Sequence, residues 1–217
     1  MRVLITGTSK GIGKAIAELF LSEGSEVIGF DMLGPSIDDP NYTHFILDVR
    51  DIEKYPELPP IDILVNNAGT QNVDDININL KALIDITEHY GIHSGIKSIL
   101  NIGSASAHTG SEFPYYAASK GGVLSYTKNV AIRIAQYGAT CNSLDPGGVL
   151  TELNNCVINN SELWKEIMDL TPLKRWATPE EIAEWVYFLT VTNKFCTAQN
   201  ILVDGGEAAA FNFVWEE

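Results

Sequence analysis

Short apolar runs and amphipathic stretches alternate along the whole chain. Arg2 to Thr6 carries Val3, Leu4 and Ile5 in succession and reads as a buried strand. Gly11 to Ser22 follows at once, with Ile12, Ala15, Ile16, Leu19 and Phe20 at helical spacing. Glu26 to Phe30 and Thr43 to Leu47 read as the second and third strands. Ile61 to Asn66 reads as a fourth, apolar on both faces as interior parallel strands are. A helix is expected over Asp75 to Tyr90, stopped near Gly91, and then a strand over Lys97 to Ile102. Tyr116 to Tyr137 gives a long helix free of proline, ended by Gly138 and followed by a strand at Ala139 to Leu144. Helices at Glu162 to Leu170 and at Pro179 to Val191, the latter with proline in its first turn, precede a last strand at Gln199 to Val203.

This order implies a single α/β domain over residues 1–217, a doubly wound parallel sheet of about seven strands with helices on both faces. Little helical pattern separates the second and third strands. Between the third and fourth, Pro56, Pro59 and Pro60 argue against a long crossover helix. The chain has 217 residues, 45% hydrophobic and 19% charged, enough to bury a core without disulfides or metal. No apolar run reaches the length of a bilayer span, and the first apolar stretch begins at Val3, which leaves no room for a signal peptide in front of it. Cys141, Cys156 and Cys196 show no CxxC spacing and read as free thiols of a cytoplasmic protein.

A net charge of −14 speaks against nucleic acid, anionic membranes and acidic protein partners. Asp38-Asp39, Asp74-Asp75 and Glu180-Glu181 read as solvated turns and helix starts rather than acid/base couples. His89 and His93 have the i, i+4 spacing of a metal pair, but Gly91 lies between them and no third ligand is near, so no metal is expected.

Candidate chemistry begins where the first strand ends. Thr6-Gly7-Thr8-Ser9-Lys10-Gly11-Ile12-Gly13 leads straight into a helix. A glycine-rich turn in that position lets backbone approach a pyrophosphate held at the positive end of the helix dipole. The second strand ends at Asp31, whose carboxylate is placed to accept hydrogen bonds from adenosine ribose hydroxyls and to repel a 2′-phosphate. That favours NAD, with NADP as the alternative. Lys10 pulls the other way, since a cation in the turn could pair with a 2′-phosphate.

The spacing Gly7-x3-Gly11-x-Gly13 resembles the cofactor turn of the short-chain dehydrogenase/reductases rather than the GxGxxG of other Rossmann enzymes. Leu47-Asp48-Val49 resembles that family's adenine-binding segment, and Asn66-Asn67-Ala68-Gly69 its NNAG motif. Asp145-Pro146-Gly147-Gly148-Val149-Leu150-Thr151 is similar to its PG motif, which touches the nicotinamide carboxamide. Leu173-Lys174-Arg175, Pro179 to Ala183 and Val203-Asp204-Gly205-Gly206 are similar to familiar segments as well. The resemblance runs from Met1 to about Gly206. It implies a Rossmann fold, and cofactor contacts from Gly7 to Gly13, at Asp31, Asp48, Val49, Asn67, Ala68, Gly69, Pro146, Gly147, Val149 and Thr151.

Tyr116-Ala117-Ala118-Ser119-Lys120 has the family's YxxxK form, and on a helix Tyr116 and Lys120 fall one turn apart on one face. A free phenol titrates near 10 and is a poor base at neutral pH. A neighbouring ammonium and the positive nicotinamide ring both favour the phenolate. Tyr116 can then exchange a proton with an alcohol or carbonyl as hydride moves. Tyr115 lacks the lysine four residues on. By resemblance, Lys120 also holds the nicotinamide ribose, Ser104 binds the substrate oxygen with Ser106 as fallback, and Asn79 keeps a relay water near the lysine.

Two departures from the family pattern stand out. Asn79 follows Gly69 by only ten positions, about half the usual interval, which implies a more open pocket on that side. The stretch from Ser104 to Tyr116 looks one residue short. Residues 151–176, with Leu153, Val157, Ile158, Leu163, Trp164, Ile167 and Met168, sit where the family has its substrate lid. The tail 207–217 carries Phe211, Phe213 and Trp215, expected to pack against another subunit of a homodimer or homotetramer. The expected partner is a small carbonyl or alcohol, oxidised or reduced with NAD. A reductase of 3-oxoacyl-carrier-protein using NADPH, and a non-catalytic dinucleotide-binding module, are the alternatives.

Overall fold

The computed structural model describes residues 1–210 apart from Glu112. Seven strands form one parallel sheet: β1 (Arg2–Thr6), β2 (Glu26–Asp31), β3 (Tyr42–Ile46), β4 (Ile63–Asn66), β5 (Ser98–Ile102), β6 (Thr140–Pro146) and β7 (Asn200–Val203). Their spatial order is β3-β2-β1-β4-β5-β6-β7, so the winding reverses between β1 and β4. Every pairing is parallel, and β1 lies in register with β2 from Arg2↔Glu26 to Thr6↔Phe30. All seven carboxyl ends therefore reach one edge, and a ligand is expected in the crevice where the order reverses.

The helices bury opposite faces of the sheet. α1 (Gly11–Ser22) places Ile16 and Phe20 against Val3, Ile5, Leu100 and Leu144. Tyr187, at the end of a later helix described below, stacks its ring 5.3 Å from that of Phe20. On the other face the helical segment 76–91, called α2, combines one α-helical turn (Leu83–Ile86) with wider π-type turns on either side (Ile76–Ala82 and Thr87–Gly91). A single short turn, α3 (Ser106–Thr109), leads to α4 (Pro114–Ile134), whose Val130, Ala131 and Ile134 pack with Ile86 on Leu4, Leu64 and Ile99. Gly138 ends this segment in the left-handed region. After β6 come α5 (Asn155–Ile158), α6 (Ser161–Leu170) and α7 (Pro179–Tyr187), and α7 packs beside α1. A capping box starts α7: Thr178 Oγ1 accepts from the Glu181 N–H, and the Glu181 carboxylate accepts from that of Thr178.

The strands and long helices lie where the alternating pattern puts them, with ends displaced by one to three residues; α4 gives way to a 3-10 turn at Ala135–Tyr137. α7 stops at Tyr187 and continues as a π-type turn over Phe188–Thr192 instead of running to Val191 as one α-helix. α3 and α5 went unpredicted, because a four-residue helix is too short to show periodicity. No helix forms between β2 and β3 or between β3 and β4, apart from the 3-10 turn Ile52–Lys54. The aromatic tail 211–215 lies outside the described residues. No helix among those described is long and apolar enough to cross a membrane.

Candidate active site

The turn after β1 is locked to the turn after β4. Gly7 and Gly11 take φ of +78° and +55°, which L side chains rarely adopt. Gly13 is required for space: a Cβ there would strike Gly7 O and Asn67 Nδ2. Thr6 Oγ1 accepts from the N–H groups of Asn67 at 3.0 Å and Ala68 at 2.9 Å, and Asn67 Nδ2 donates to Thr6 O at 2.9 Å. Ile12 packs on the core and anchors the start of α1. Lys10 occupies the position before α1 and supplies no side-chain cap, so the first N–H groups of the helix are left to an anion. A glycine cradle and an uncapped helix N-terminus in the crevice fit the pyrophosphate of a dinucleotide.

Asp31 stands at the end of β2, as expected. Its Oδ2 accepts from the Ser9 N–H and its Oδ1 from the Leu33 N–H, both at 2.9 Å. Residues 32–41 fold back on the same turn: Ser36 Oγ donates to Ser9 O at 2.7 Å and Ser9 Oγ to Gly34 O at 3.0 Å. Thr8 is fixed from behind by Tyr42, whose phenol donates to Thr8 Oγ1 at 2.7 Å. The Asp48 carboxylate is claimed by the Arg50 guanidinium, at 2.6 Å from Nη2, which holds it below the usual carboxylate range. Arg50 reaches on to Asp74 at 2.9 Å and so ties the shortened segment after Gly69 to the end of β3. Val49 is buried beside Asp48, and its carbonyl accepts from Tyr55 Oη at 2.5 Å.

At the other end, β6 leads into the PG segment. Gly147 N donates to Val203 O at 3.0 Å, and Val149 bridges Ala177. The Thr151 methyl lies 3.4 Å from the place a Gly11 Cβ would take, so the PG segment and the glycine turn face each other. Between them and the start of α7 opens a cavity of about 530 Å³, lined by Gly11, Thr151, Glu152, Ile158 and Pro179 among others. No residue of α6 is buried, and Trp164 on it meets the buried Trp176 at 5.1 Å.

α4 carries Tyr116 and Lys120 toward the exit of β5. Lys120 is 5% exposed and its Nζ donates to Ile102 O at 2.8 Å. It lies 5.9 Å from the centre of the Tyr116 ring. Burial pulls the Lys120 ammonium down to about 8, against the opposing charges of Asp145 and Asp75. Tyr116 is half-buried, whereas Tyr115 is exposed. Ser104 is buried, and its Oγ accepts from the Ser106 N–H at 3.2 Å. Asn79 is 1% exposed within the π-type turn of α2, a distortion common at functional sites. Its Oδ1 accepts from the Thr70 N–H at 2.8 Å, and its Nδ2 donates to Thr70 O at 2.9 Å and to Ser119 Oγ at 3.2 Å. Gly69 lies between Asn79 and Lys120, since a Cβ there would sit 3.2 Å from Asn79 Oδ1 and 3.7 Å from Lys120 Nζ. A phenol, an ammonium and a locked asparagine are thus brought together, with the buried Ser104 hydroxyl two residues past the carbonyl that holds the lysine.

Three charged or titratable side chains here escaped the sequence reading. Asp145 is fully buried and bonds His108 Nε2 at 2.6 Å. Asp75, taken as a solvated helix start, is buried and accepts from the Asn72 N–H at 3.1 Å. The signal for Asp145 was present: a carboxylate inside an otherwise uncharged buried strand needs a partner. The two histidines with metal-like spacing serve elsewhere. His89 packs edge-on against Tyr90 at 4.4 Å, and His93 Nδ1 accepts from the Gly95 N–H at 3.1 Å.

A family model described as Enoyl-(Acyl carrier protein) reductase matches residues 53–207. The 3-oxoacyl-[acyl-carrier-protein] reductase of Buchnera aphidicola subsp. Acyrthosiphon pisum is 31% identical, over 93% of this chain and 95% of its own. The chain belongs to the short-chain dehydrogenase/reductase family. Among solved structures, ligand-free aldohexose dehydrogenase of Thermoplasma acidophilum is similar at a TM-score of 0.85 and 28% identity, covering 100% of this chain and 97% of that one. A 4-hydroxyisoleucine dehydrogenase complexed with NADH gives a TM-score of 0.85 at 27% identity, over 96% of this chain and 98% of that one. Short-chain dehydrogenase/reductases act on CH–OH groups with NAD or NADP, and this chain is an oxidoreductase of that kind.

Proposed function

We propose that this enzyme moves hydride between NAD and a small or medium secondary alcohol or its carbonyl, with Tyr116 as the proton-exchanging group. The observation that carries this reading is Lys120, buried on the Ile102 carbonyl and one turn from Tyr116. The chemistry supplied by a bound nicotinamide is hydride transfer. Tyr116 Oη gives a proton to the substrate oxygen or takes one from it. The Lys120 ammonium favours the phenolate form, and Ser104 Oγ donates to the same substrate oxygen. Asn79 locks the 70–79 segment against α4.

The preference for NAD rests on Asp31, pinned at the ribose end by Ser9 and Leu33, where a 2′-phosphate would face a fixed carboxylate. The second reading, an NADPH-linked 3-oxoacyl thioester reductase, is favoured by the Buchnera relative's name and by the exposed cation Lys10. We place the enzyme in the cytoplasm as a homodimer or homotetramer. Apolar side chains left open on the surface support the assembly, Ile132 at 76% and Phe195 at 97% exposure among them.

Titration with NADH and NADPH separately, followed by quenching of tryptophan fluorescence, tests the reading. NADH should bind more tightly. Tighter NADPH binding would transfer the assignment to the thioester reductase, and binding of neither would overturn the enzymatic reading.

A further inference from the structure

A buried ammonium needs a counter-charge, yet the hydrogen bond of Lys120 runs to a neutral carbonyl. Ile102, which owns that carbonyl, lies in register with Leu144 on β6. One residue further along these strands are Gly103 and Asp145. Asp145 is fully buried; its Oδ2 is held by His108, and its Oδ1 has no hydrogen-bond partner. That free oxygen presses on Gly103, where a Cβ would collide with it, so glycine at 103 makes room for the carboxylate. The same point lies 3.4 Å from Leu124, one turn beyond Lys120 on α4. The carboxylate thus lies against Gly103 at the exit of β5, on the side where Leu124 of the lysine's helix packs.

We propose that Asp145, clamped by His108, is the counter-ion of Lys120 and acts as the positioning residue for its ammonium. The proposal rests on the role given to Lys120 above and adds the group that keeps it charged. Burial pushes the Asp145 carboxyl up, and His108 first, then the Ser143 hydroxyl, pull it back toward the ionised form. Three charged or titratable groups face Lys120: Tyr116 from its own helix, Asp75 from the entry to α2 and Asp145 from β6. Asp145 is the stronger of the two carboxylates in opposing the loss of charge that burial imposes. A purely mechanical role is already filled, since Ala105 N donates to Pro146 O at 2.8 Å and closes the same strand exits without any charge.

The test is the titration of Lys120 itself, in protein labelled with ¹³C at lysine Cε. The resonance is assigned by its loss in Lys120→Arg. In the wild-type protein the midpoint should fall near 8. In Asp145→Asn it should drop by about one pH unit, a tenfold loss of proton affinity. His108→Gln, which keeps a donor where Nε2 stands, should stay within about 0.3 unit of wild type. An unmoved midpoint in folded Asp145→Asn overturns the proposal. Where that variant does not fold, His108→Leu/Asp145→Leu removes both partners together, a change buried pairs often tolerate, and the same drop is expected or the proposal fails. Turnover of Tyr116→Phe is measured alongside: activity retained there overturns the catalytic reading but leaves the lysine titration to stand or fall by itself.

Discussion

At the end of the cleft to which we assign the adenosine, the candidate binding groups belong to connections: the turn 7–13, the segment 32–41 and the residues just past β3. They are held by side chains bonding to backbone, as Asp31 is to Ser9 and Ser36 to the Ser9 carbonyl. At the reaction end most of them belong to regular elements, Tyr116 and Lys120 to α4, Asn79 to α2 and Asp145 to β6, with Ser104 two residues past β5. There the polar groups form a buried set that includes Ser104, Lys120 and Asp145. One end is assembled from single, partly buried hydrogen bonds between connections. The other is a packed interior in which each charge depends on its neighbours, and removing one partner costs far more.

The largest expected effect lies at the reaction end. Tyr116→Phe should lower turnover by about 10³-fold or more while NADH affinity changes less than about twofold. Steady-state rates combined with fluorescence titration would show it, and retained turnover would contradict the division of labour. Next comes the hinge between the two ends. Gly13→Val should drive side-chain atoms into Gly7 O and Asn67, weaken NADH binding by about tenfold or more, and lower the melting temperature by several degrees. Asp31→Ala should narrow the preference for NADH over NADPH by about tenfold with kcat little changed, and an unchanged ratio would remove Asp31 from ribose recognition. The smallest effect belongs to Ser36→Ala, which deletes one bond to the turn. NADH affinity should fall about two- to threefold, and kcat should be untouched.

The same division explains what could be read in the sequence. The glycine turn, Asp31, Tyr116 and Lys120 are local patterns: a spacing of a few residues after a strand or along one helical turn carries their whole meaning. Such patterns located the strands and α1 to within a residue or two, and α4 to within three, its last three expected residues forming a 3-10 turn. The pairing of His108 with Asp145 joins positions 37 apart, and nothing within either neighbourhood names the other. Asp75 illustrates a different failure. Beside Asp74, which is an exposed partner of Arg50, it looks like one more solvated acid, and only the packing of α2 on α4 shows it to be buried. The π-type turn at Asn79 is equally silent, because seven residues of wider helix leave the apolar periodicity almost unchanged.

β2 passes to β3 through residues 32–41 without a crossover helix, and both strands keep an in-register parallel pairing. That segment leads to the edge strand and folds back on the glycine turn where we place the ribose, so it is a natural cassette for protein engineering. Exchanging it, together with Asp31, for a counterpart rich in arginine would rewrite cofactor currency from outside the core. The sheet, the lysine and the tyrosine would not have to move.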